Sequence, residues 1–186
     1  MTFTINFLDD STRPRAPKIE DVTAEQRRRG RRLAAIHAVH LRQMSDVRSI
    51  IDEVAQGLRS VSEVTYAVGS LAMSKNTRLA GTICGEECQM LTFHHTAEDQ
   101  WNFPALTGHS AGLTRVVERL AEEHLVIHAL IERLESAAAE AISVPTPASF
   151  DALNGSYNQL EAVVKSHFSY EQEELEEALG FYDVDL

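Results

Sequence analysis

Residues 113–134 read LTRVVERLAEEHLVIHALIERL. Leu113, Val116, Val117, Leu120, Ile127, Ile131 and Leu134 recur at helical spacing, and at about 100° per residue they fall on one side of a helix. His124 and His128 sit within that stripe, so the spacing that turns the leucines inward turns two imidazoles inward as well. Such a helix has to bury its stripe against other elements. It runs on into the Ala-rich segment 137–141.

Working outward, the same pattern returns on either side. Downstream, Pro145 and Pro147 break the chain, and Ser149 or Asp151 can cap a helix with the stripe Leu153, Tyr157, Leu160, Val164, Leu175 and Leu179, closed by Gly180. Upstream, a helix is expected from about Arg78 through Ile83, Met90, Leu91 and Trp101, with Pro104 and Gly108 marking its kink or end. The first helix starts near Asp21 or Thr23, carries Leu33, Ile36, Met44, Val47, Ile51 and Val54, and ends near Gly57. Between the first two helices, Val61, Val64, Val68 and Leu71 suggest partial helix in residues 58–77, a segment given no role. No stretch alternates as an exposed strand would. The expected fold is all-α: an antiparallel up-down-up-down four-helix bundle over residues 21–186, preceded by an extended arm, residues 1–20, containing Pro14 and Pro17. A chain of 186 residues fits one such domain.

The formal charge of -11 argues against a nucleic-acid partner. The arginines at 27, 28, 29, 31 and 32 read as a solvated helix face rather than a binding patch. Cys84 and Cys88 are too few for a disulfide framework, and no apolar run approaches the roughly 20 residues of a membrane span. Met1–Asp10 lacks the basic start and long apolar stretch of a secretory signal, so a cytoplasmic location is expected. Nothing in the sequence fixes the oligomeric state.

Residues able to bind metal lie on the apolar stripes rather than opposite them. His40 sits between Ile36 and Met44 near the centre of the first stripe, with His37 toward its edge. His94 and Glu98 share a face with Met90 and Trp101, four residues and so about 40° apart. His124 and His128 repeat the spacing, and His167 and Glu171 repeat it again. One buried histidine is commonly a hydrogen-bonded core residue. Three such pairs on successive helices, with His40 on the remaining one, need a shared partner, because buried carboxylates and imidazoles are costly alone. A metal cluster supplies it. The seven side chains exceed the four donors of a structural zinc site, and imidazole with carboxylate suits iron, although other divalent metals share that preference. His95, about 100° from His94, His109 in an expected loop, and His37 are read as non-ligands.

These residues resemble the hemerythrin family and its bacterial relatives, the hemerythrin-like HHE cation-binding domains. The resemblance covers about residues 33–180. It rests on HHTAED at 94–99 followed by WNFPAL, EEHLVIH at 122–128, HFSYEQEEL at 167–175, and His40 within AVHLR. It implies a cofactor of two iron ions joined by an oxo or hydroxo bridge. His124, His128 and His167 would hold one iron, His40 and His94 the other, and Glu98 and Glu171 would bridge them. The first iron is then six-coordinate, and the second keeps a free position for dioxygen, peroxide or nitric oxide. In the oxygen-carrying hemerythrins the last carboxylate follows its histidine by five residues. That position here is Gln172, and Glu171 at a spacing of four serves instead, as in many HHE domains; Glu174, one turn on, is a weaker substitute.

The resemblance implies a non-haem di-iron protein that binds dioxygen or a related small ligand, for oxygen storage, delivery or sensing. The alternative is a di-iron oxidoreductase acting on peroxide, nitric oxide or an organic substrate. Neutral imidazoles favour binding over oxygenation relative to the four-glutamate ferritin-like sites, whose Glu-x-x-His motifs are missing here in the required order. Met90, Leu91, Trp101, Ile127 and Phe168 are expected in the core near the histidines, where they would keep water out. Tyr170 reads as a rim or interface residue, and the cysteines as small reduced core or flank residues.

Overall fold

The computed structural model describes residues 5–59 and 85–186. The expected start of the second helix near Arg78, the pattern Val61–Leu71 and Cys84 lie outside the described residues, as do the side chains of Cys88 and Met90. Among the described residues there are helices and no strands.

The first expected helix is two. Thr23 and Gln26 form a capping box on α1 (Ala24–Gly30), and α2 (Arg32–Ala55) follows after Arg31. α1 lies across the last helix at backbone contact. A Cβ at Gly30 would overlap the Glu176 carbonyl, and one at Gly180 would overlap that of Gln26. Gly57, at φ 71°, ends the stretch after α2.

Helix α3 (Gly85–Ala97) opens at Glu98–Asn102 into a single wide π turn before the short α4 (Phe103–Leu106). Pro104 has no N–H to donate and would crowd the preceding turn of a regular helix. The wide turn accommodates it, with the Phe103 N–H donating to the Glu98 carbonyl. The long α5 (Ala111–Ser143) is capped by the Ser110 side chain. The cap of α6 (Pro147–Phe181) is Thr146, paired with Ser149, rather than Ser149 or Asp151. Pro147 starts this helix, because the first turn requires no N–H from it.

Helices α2, α3, α5 and α6 pack as a bundle around two apolar clusters. One includes Met44, Leu91, Ile127 and Phe168. The other includes Leu33, Phe103, Leu120 and Leu175. His37 and His40 fall between Leu33 and Met44, His94 and His95 between Leu91 and Phe103, and His124 between Leu120 and Ile127, while His128 and His167 sit at the near edge of the first cluster, beside Ile127 and Phe168. The polar groups therefore form one layer across the bundle.

Candidate metal centre

Seven of the eight histidines are in this layer; the eighth, His109, stacks on Tyr182 at 3.7 Å elsewhere. The ligand atoms of five of the seven, with those of Glu98 and Glu171, gather in two groups. His95, His124 and His167 form one, and His37, His94, Glu98 and Glu171 the other, with the atoms of each group within 4.8 Å of one another.

Helix α3 explains the division. It packs against both α2 and α5, so the adjacent His94 and His95, about 100° apart, face different neighbours. His94 meets His37 of α2, Nε2 to Nε2 at 3.1 Å. His95 stacks on His124 of α5 with ring centres 4.1 Å apart.

Each carboxylate reaches both groups. Glu98 places Oε1 3.2 Å from His94 Nε2 and Oε2 3.5 Å from His124 Nε2. Glu171 Oε2 lies 3.3 Å from His37 Nε2 and 3.7 Å from His167 Nε2. Both carboxylates are at least 98% buried, and burial together with the charge of Glu171 pushes the Glu98 carboxyl well above its usual range. Burial acts on Glu171 in the same sense, but its contact with His37 and the nearby His167 and His94 outweigh it and hold that carboxyl low. Without a cation, the two carboxylates resist ionising together.

Five of the imidazoles are pushed toward the neutral form. Burial lowers His94 to about 3 and His40 to about 4, and pushes His95, His128 and His167 down as well. A neutral imidazole offers a lone pair to a metal. In two rings the outer nitrogen donates to a carboxylate, His124 Nδ1 to Asp99 at 2.8 Å and His167 Nδ1 to Glu123 at 3.1 Å, whereas His37 Nδ1 accepts from the Gln172 amide at 2.8 Å. The first two leave the Nε2 lone pair directed inward. His124 Nε2, His128 Nε2, His167 Nε2, both nitrogens of His95 and both Glu98 oxygens are buried without a hydrogen bond. Each such group costs roughly 1–3 kcal/mol if left so. So many orphaned acceptors and lone pairs facing one another fit a cation.

Of the residues expected from the sequence, His94, Glu98, His124, His167 and Glu171 are within the two groups. His40 and His128 stand beside them, with ring centres 5.0 Å from His94 and 5.5 Å from His95. His37 is fully buried rather than peripheral, and its ring stacks on Phe168 at 3.8 Å. Leu91, Ile127 and Phe168 belong to the core beside the site, but Trp101 is 61% exposed and shields nothing. Trp101 lies within the π turn, whose wider winding turns it away from the stripe of α3. Tyr170 is buried and donates to the Pro14 carbonyl instead of sitting at a rim. Sequence reasoning passed over Asp99 and Glu123, each next to a residue already singled out.

Among protein-family models, residues 31–179 match the one described as the hemerythrin HHE cation binding domain. Comparisons with curated proteins and with solved structures return no match.

Proposed function

Because the chain belongs to the hemerythrin HHE cation-binding family, we propose that it holds a pair of iron ions and binds dioxygen or a related small ligand, for oxygen storage, delivery or sensing in the cytoplasm. The observation that supports this best is that Glu98 and Glu171 each lie within 3.7 Å of an imidazole nitrogen from both histidine groups. A carboxylate so placed suits a bridge between two cations.

His37 and His94 would hold one iron, in preference to His40 with His94. His124 and His167 would hold the other, with His95 and His128 the candidates for its remaining position. When bound, iron supplies the electrons that dioxygen chemistry requires. The protein's part is to fix the imidazole rings through Asp99, Glu123 and Gln172, to supply two buried carboxylates, and to exclude water with Leu91, Phe103, Ile127 and Phe168.

The reading includes the up-down-up-down course. Along α2 the chain passes from the Leu33 cluster to the Met44 cluster, along α3 and α4 back, along α5 out again and along α6 back once more. That alternation is what antiparallel neighbours produce. It also keeps residues 1–20 as an arm outside the bundle and a small ligand, not nucleic acid, as the partner.

Iron content and visible absorption test the function together. Protein produced with iron should retain it through desalting and, once reduced, develop on exposure to air an absorption band that evacuation removes. Substoichiometric metal overturns the reading. Steady consumption of peroxide or nitric oxide, with no reversible band, replaces carriage by di-iron oxidoreductase activity.

A further inference from the structure

The family match begins at residue 31, yet a residue well ahead of it reaches the edge of the metal layer. Arg13 donates from Nε to Glu123 Oε1 at 2.8 Å and from Nη2 to Glu123 Oε2 at 2.9 Å. This is the paired geometry in which a guanidinium fixes the plane of a carboxylate. Glu123 is 5% exposed, and its Oε2 is the atom that faces His167 Nδ1. Arg119 also reaches Glu123, but from the same helix and only at Oε1. Arg13 therefore holds the oxygen that holds the histidine.

The segment around Arg13 is seated for this purpose on both sides. Its Nη1 donates to Ser166 Oγ at 2.9 Å, next to His167 in the chain, and its guanidinium lies 4.7 Å above the Tyr170 ring. The Tyr170 hydroxyl donates to the Pro14 carbonyl at 2.8 Å. Arg119 Nη2 donates to the Asp9 carbonyl at 2.9 Å, and Ser166 Oγ donates to Asp10 Oδ2 at 2.7 Å. Residues 9–14 thus lie across α5 and α6 where Glu123 and His167 meet.

We propose that residues 9–14 form a positioning strap for the metal centre, in which Arg13 fixes Glu123 and Glu123 fixes the ring orientation and tautomer of His167. A carboxylate that accepts from Nδ1–H leaves the Nε2 lone pair pointing inward, and outer partners of this kind set how firmly a histidine holds its metal. Arg13 touches no candidate ligand and acts only through Glu123. The inference rests on the reading above that His167 is a ligand.

Cobalt(II) provides the probe, since its visible absorption reports the number and arrangement of donors. The full chain is loaded with Co2+, its spectrum recorded, and its release to excess chelator followed for wild type, Arg13→Ala, Arg13→Lys and Arg15→Ala. Arg15 pairs with Glu173 and Glu174 and anchors the same segment farther along, away from Glu123. Arg13→Ala should release Co2+ about tenfold faster and shift the visible bands. Arg13→Lys, which keeps the charge without the fork, should fall between, and Arg15→Ala should match wild type.

If Arg13→Ala keeps the wild-type spectrum and release rate, the strap is overturned. Equal acceleration by Arg15→Ala overturns it too, because general docking of the segment would then explain the effect. Should Arg13→Ala fail to fold, Arg13→Gln carries the same comparison. A wild-type protein that takes up no Co2+ overturns the metal reading itself, which distinguishes that failure from failure of the strap.

Discussion

The two sides of the histidine layer are braced differently. On the α5–α6 side, His124 and His167 lean on carboxylates, Asp99 and Glu123, and Glu123 is gripped in turn by Arg13 and Arg119. On the α2 side, His37 Nδ1 accepts from the neutral Gln172 amide N–H, and the ring rests on the face of Phe168. An anionic acceptor at Nδ1 strengthens an imidazole as a donor to metal, which an amide donating to Nδ1 does not, and a bidentate ion pair fixes its position more firmly. If the proposed pair of irons is bound, the contrast predicts one position suited to retention and the other to exchange. That division suits a centre in which one metal stays fully ligated while the other admits a small molecule.

The largest effect should come from the groups both sides share. Glu98→Ala is expected to remove most bound iron, measured by elemental analysis after desalting, and Glu171→Ala should do the same. Full retention by either variant would break the shared-carboxylate picture. Because Glu98 is a buried acid held near another, Glu98→Gln should leave the metal-free protein as stable as wild type or more so, even as the metal is lost.

The next comparison separates the braces. Glu123→Gln should speed metal release by about 10- to 100-fold, the usual range for a lost outer partner. Gln172→Ala should change it by a smaller factor, because no charge is removed. If the Gln172 variant loses metal faster, the assignment of the tight side is reversed.

How far these features were legible in the sequence follows from periodicity. The bundle and the spaced pairs on α3, α5 and α6 come directly from polar residues falling on apolar stripes. On α2 the same logic faltered at Ile36, which is only partly buried and pulled the stripe's centre toward His40. The buried set Leu33, His37, His40, Met44, Ile51 and Val54 steps by four, three, four, seven and three, a heptad rhythm that includes both histidines and was there to be read. His95 needed knowledge that α3 has neighbours on two sides. Asp99 depends on a π turn forced by Pro104. Arg13 meets Glu123 across 110 residues of chain, a relation that no local spacing encodes.

Packing beside the looser side gives an effect on stability rather than on metal. Phe168 is buried in the apolar cluster and stacks on His37. Phe168→Ala should lower metal-free stability by about 3–5 kcal/mol in a denaturant titration. A loss of less than about 1 kcal/mol would mean that the ring is not part of a close-packed wall.

The smallest expected effect is a pH dependence of the metal-free protein. Burial lowers His94 to about 3 in the folded chain, against an ordinary value of 6.5, and lowers His40 to about 4. The unfolded chain therefore binds protons that the folded chain does not as pH falls below 6.5, so stability rises with pH across that window and drops on acidification. For His94 the slope is at most about 1.4 kcal/mol per pH unit. Glu123 behaves otherwise: burial opposes its charge, but His167, Arg13 and Arg119 hold it at about 2, below its ordinary 4.5. The stability it contributes is present above pH 4.5 and is lost only as pH falls through the folded value. Between pH 7 and pH 5 the imidazoles should thus weaken the apo protein while the Arg13–Glu123 clamp stays charged. Thermal melts over that range should show a falling midpoint, and His94→Asn should flatten the slope. A flat wild-type profile would mean that the rings are hydrated and protonated in the folded state, and the contrast between the two sides would then lose its basis in neutral, inward-facing lone pairs.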